Sequence, residues 1–233
     1  MTELRCIVTF DRETPEEEIL RIRKTSDVFS CAIERGFFFP AQLSRSPEIE
    51  SGRITSDGRL SMEVGLTVES FALEWLSVLE GMYEWLRINR GITLRLSYVY
   101  ADGAPIRIPT VRIEHILQKA VRPFSVSVPE FMGMGESFTL LLRFAYGLNE
   151  SRREELEQGF TVWESLVRGG FPTEDGAPGD STIGANSGFL VAPTVYRYFV
   201  EGMAADMACL DVLFNFFSAG GNRFGLVSAE VED

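Results

Sequence analysis

His115 is the only histidine in the chain, and this limits the available chemistry. A Ser-His-Asp or Cys-His relay would have to run through that one imidazole, which stands in a connecting stretch. A single histidine makes no histidine-cluster metal site, although an all-carboxylate site needs none. Carboxylates are the other candidates. Asp206 falls inside an apolar stripe of helical spacing, where an ionised group needs a partner or an elevated pKa, and Asp211 lies nearby. Either could act as acid or base in a small-molecule enzyme with its site between the two halves of the chain. Glu16, Glu17 and Glu18, and Glu154, Glu155 and Glu157, resemble paired catalytic carboxylates. All six sit in the first turns of expected helices, where negative charge stabilises the helix dipole, so capping accounts for them. Cys6, Cys31 and Cys209 are odd in number and none is spaced C-x-x-C. Zinc and redox-dithiol sites are therefore unsupported, and the three read as buried structural thiols.

The polar stretch Gly176 to Gly188 also invites a functional reading. It holds Gly176, Gly179, Gly184 and Gly188 but no lysine, so it lacks the phosphate-cradling pattern G-x-x-x-x-G-K-[ST]. Gly179-Asp180-Ser181 resembles the nucleophile block of GDSL-type esterases. That family also needs a later Asp-x-x-His, and no histidine follows Ser181. Asn149-Glu150-Ser151 matches a glycosylation sequon, which has no role in a cytoplasmic chain. No residue is assigned a catalytic, cofactor-binding or metal-binding role, and no cofactor is expected.

The elements that would position such residues come in two sets. Phe10 to Gly36 and Phe144 to Gly170 read as two copies of one unit at a constant offset of 134 residues. Each begins with a strand, Arg5 to Phe10 or Phe138 to Ala145, followed by a polar turn and a helical pattern. In the first copy Thr14-Pro15-Glu16-Glu17 supplies cap, first-turn proline and capping glutamate, and Gly36 stops the helix. In the second, Asn149 to Ser151 is the expected start, and Ser151 with Glu154 predicts a capping box. The apolar stripes coincide under the offset: Ile22 with Leu156, Phe29 with Trp163, Ala32 with Leu166, Ile33 with Val167.

Further strands are expected at Phe37 to Phe39, at Arg59 to Val68 and at Gly188 to Val191. Second helices are expected at Glu69 to Asn89 and at Thr194 to Ala219. The later one carries Phe199, Met203, Met207, Leu210, Leu213, Phe214 and Phe217 on one stripe, with Val212 and Phe216 on the far side. Such wide apolar faces exceed the roughly 100° that covers one sheet, so both helices should meet more than one surface. The closing strands are Ile92 to Tyr100 and Arg223 to Val231. The order strand–helix–strand–strand–helix–strand predicts an α+β fold of two tandem ferredoxin-like (βαββαβ) repeats with antiparallel sheets. The repeats span 1–101 and 132–233, and the connecting segment 102–131 carries a short helical pattern at Val111, Ile113, Ile116 and Leu117. This architecture resembles that of the chlorite dismutase and dye-peroxidase group, which bind haem through a histidine in the second unit. Residues 132–233 contain no histidine.

Charge then narrows the partners. The net charge is −12, divided as −4 over residues 1–116 and −8 over residues 117–233. A surface this acidic repels phosphate, which argues against nucleic-acid and membrane partners. The apolar window Val195 to Ala219 carries Arg197, Glu201, Asp206 and Asp211, so it does not span a bilayer. The start Met1-Thr2-Glu3-Leu4-Arg5 lacks a secretory apolar run, and a cytoplasmic location is expected. The first expectation for function is a non-enzymatic acidic protein-binding module that neutralises a basic partner, in the manner of an immunity protein or antitoxin. The alternatives are the carboxylate enzyme above and a homo-oligomeric structural component.

Overall fold

The computed structural model describes residues 2–10, 60–68, 94–106, 121–129, 137–168, 186–201 and 207–232, together with residues 15, 17, 22, 24, 25, 28, 29, 31, 32, 35–38, 48, 49, 53, 54, 80, 81, 83 and 87. The chain is a mixed α+β protein, and its backbone divides into two compact units, Met1–Gln118 and Lys119–Asp233. The expected helix at Val111 to Leu117 lies outside the described residues, as do His115, Asp206 and residues 176–185 of the polar stretch.

The first unit is built on β1 (Thr2–Phe10), which pairs antiparallel with β4 (Leu60–Val68) on one side and with β5 (Leu94–Ala101) on the other. Short strands β2 (Glu48–Ile49) and β3 (Arg53–Ile54) pair with β4, and β6 (Ala104–Ile106) pairs with β5, all antiparallel. The described residues from 17 to 35 are helical, with Ile22, Phe29 and Ala32 buried as the stripe predicts. Gly36 stops this helix as expected. It adopts φ 84°, and the Phe37 amide donates to the Ala32 carbonyl at 3.0 Å, closing a Schellman motif. That turn takes Phe37 and Phe38 out of the strand expected at Phe37 to Phe39, and Phe39 lies outside the described residues. Phe37 and Phe38 are buried in the bend past the helix end, with Phe38 stacked on Phe29 at 4.7 Å between centroids. Of the second expected helix, residues 80, 81, 83 and 87 are described and helical, and Tyr83 is buried.

The second unit runs β7 (Ser125–Ser127), β8 (Ser137–Phe144), α1 (Glu150–Arg168), β9 (Ser187–Ala192), β10 (Val195–Glu201), α2 (Met207–Asn222) and β11 (Leu226–Glu232). The sheet order is β7-β11-β8-β10-β9, antiparallel throughout except for the parallel pair β7–β11. Two corrections follow. Within the expected start Asn149 to Ser151, the cap of α1 is Asn149 and not the Ser151 of a capping box: the Asn149 Oδ1 accepts from the Arg152 amide at 2.9 Å, the N-cap to N3 bond. More important, the helix expected over Thr194 to Ala219 is a strand and a helix. Residues Val195–Glu201 form β10, joined to β9 by the two-residue turn at Pro193-Thr194 and hydrogen-bonded to β8 on its other side. Its aromatic and β-branched side chains suit a pleated surface, and Tyr196, Tyr198 and Val200 alternate into the core. Phe199 and Met207, both assigned to the helical stripe, are partly exposed instead.

The core of this unit is aromatic. Phe160 of α1 stacks on Tyr198 at 3.7 Å and 8°, and Phe160 also lies 6.2 Å from Phe217 of α2. The Trp163 indole N–H donates to the Cys209 carbonyl at 2.8 Å, tying α1 to α2. Every residue from Cys209 to Phe217 is buried, so α2 meets more than one surface, as its wide apolar face predicts. Its regular geometry ends at Ala219. Gly220, Gly221 and Asn222 then take positive φ, and Asn222 brackets Leu226 with two side-chain hydrogen bonds of 2.8 Å that launch β11.

Candidate functional site

Asp211 was a candidate acid or base, and the fold gives it a structural partner. It is buried on α2, and its carboxylate accepts from the Arg122 guanidinium, which comes from the segment just before β7. Arg122 also covers the Phe214 ring at 4.8 Å. A buried carboxylate held by a guanidinium is anchored as an ion pair, which is a structural role. The acidic residues of α1 behave as helix-end and surface charges. Glu157 pairs with Arg153 at 3.2 Å and Glu155 with Arg223 at 3.1 Å. Cys209 is fully buried and Cys31 is half-buried. Among the described residues no group of three or more His, Cys, Asp or Glu stands close enough to hold a metal ion, and no helix is long and apolar enough to cross a membrane.

Tyr196 has a strongly displaced titration. Burial pushes its phenol up to about 12, Glu157 adds to the shift, and Arg153 opposes it. The ring is fully buried and lies against Gly188 of the neighbouring strand, where any Cβ would overlap its hydroxyl and ring. Among the described residues the hydroxyl has no hydrogen-bond partner. A phenol kept neutral and flat against a glycine fills a gap in the strand pair.

A different feature, missed in the sequence, collects exposed apolar surface. The face of the second sheet opposite α1 and α2 presents Phe189 and Val191 from β9, Phe199 from β10 and Val227 at the β11 bulge. Their exposures are 53%, 54%, 37% and 53%. Large exposed apolar side chains gathered on one face mark an interaction surface, whereas scattered ones do not. The strand registers set charged residues among them. Arg197 stands between Phe189 and Leu141, and Leu141 stands between Arg197 and Glu230. Arg143 and Glu232 lie on the same face, and Arg197 reaches Glu232 at 3.5 Å. The signal for this face was the alternation in Val195–Glu201, which a helical reading conceals. Comparison of the chain with protein-family models, with curated proteins and with solved structures finds no match.

Proposed function

We propose that the chain is a non-enzymatic, cytoplasmic protein-binding module made of two ferredoxin-like βαββαβ repeats, 1–101 and 132–233, joined by 102–131. The strand orders support the repeat reading. Counting the β2–β3 segment as one strand, each unit places its fourth strand beside the first, then the third, then the second, all antiparallel. In the second unit β7 adds a fifth strand from the connecting segment. The residues matched by the 134-residue offset share burial: Phe10 and Phe144, Ile22 and Leu156, Phe29 and Trp163, Ala32 and Leu166.

The observation that carries the binding reading is the exposed apolar face of the second sheet, on a chain of net charge −12. Apolar area supplies affinity, and the acidic field speeds encounter with a basic protein, the combination an immunity-type neutraliser requires. The enzyme reading loses ground because Asp211, one of its two carboxylates, is held by Arg122. The test is capture on the immobilised full chain from its source lysate, beside the Phe189→Glu/Phe199→Glu variant. The wild type should retain a stoichiometric protein that the variant loses. Retention of nothing, neither another protein nor another copy of the chain, overturns the reading.

A further inference from the structure

We draw no further inference here: the strongest candidate, the apolar edge strand β9 with Phe189 and Val191 exposed beside Phe199 of β10, belongs to the face on which the binding reading already rests, and nothing in the structure shows what covers it.

Discussion

A buried phenol couples one residue to the stability of its unit. Tyr196 has its pKa raised from 10.0 to about 12, chiefly by burial. The folded state therefore holds the phenolic proton more tightly than the unfolded chain, and between pH 10 and 12 it binds more protons. Stability from this source is complete below about pH 10 and falls as pH rises toward 12. Phenolate absorbance at alkaline pH should include a step near 12 that Tyr196→Phe removes. The same substitution removes a buried hydroxyl that makes no hydrogen bond among the described residues. It should therefore leave stability unchanged or raise it by about 1 kcal/mol, and a clear loss would reveal a hydroxyl partner. Asp211 is the opposite case. Asp211→Ala strands the Arg122 guanidinium and should cost about 3 kcal/mol in chemical denaturation. The double variant Arg122→Met/Asp211→Leu should recover most of that loss, as expected of a structural pair, because no charge is then left unpaired.

At the level of elements, the α1–α2 contact depends on one missing side chain. Gly159 is buried in the interior of α1, and a Cβ there would overlap the Phe216 ring. That ring cannot move aside easily: Phe217 and Phe224 lie 5.3 Å away and Arg223 covers it at 5.0 Å. Gly159→Ala gains up to about 1 kcal/mol of helix propensity. It also overpacks the core at a cost of about 1–3 kcal/mol. The net effect should be a lower melting temperature by a few degrees, and a rise would show that the two helices can separate at that point. Such contacts explain what was legible. The glycine stop at Gly36 and the period-3.6 stripe through Leu156, Phe160 and Trp163 are local signals, and the fold uses both, while the cap expected at Thr14 lies outside the described residues. Val195–Glu201 was misread because Phe199, Met203 and Met207 recur every four residues, while Tyr196, Tyr198 and Val200 alternate within the same stretch. Pairing with β8 and β9 decides between the two periods, and that pairing is not local. The outer apolar face was hidden by the same ambiguity. The role of Asp211 was hidden because its partner Arg122 is 89 residues away.

For the whole molecule, the second unit should fold as a separate fragment, and its start is the informative variable. The unit is Lys119–Asp233, whereas the proposed ferredoxin-like repeat spans 132–233. The interval holds two structural contributions. β7 pairs in parallel with β11 and covers one edge of the sheet, and Arg122 neutralises Asp211 against the buried side of α2. Phe124 adds a third, packing edge-on against Phe214 and Phe217 at 6.2 and 6.5 Å. A fragment of residues 119–233 should unfold in one cooperative transition. A fragment of residues 132–233 keeps β8, α1, β9, β10, α2 and β11 yet loses the ring, the guanidinium and the edge strand together. It should be less stable by more than the roughly 3 kcal/mol assigned to the ion pair alone, since a buried phenylalanine truncation costs about 3–5 kcal/mol by itself. It should also aggregate more readily, because β11 becomes an unpaired edge. Denaturant titration of both fragments reads the difference directly. Equal midpoints would mean that the six-element repeat is self-sufficient and that residues 119–131 are a connector only. A large gap would make the connecting segment an integral part of the second unit.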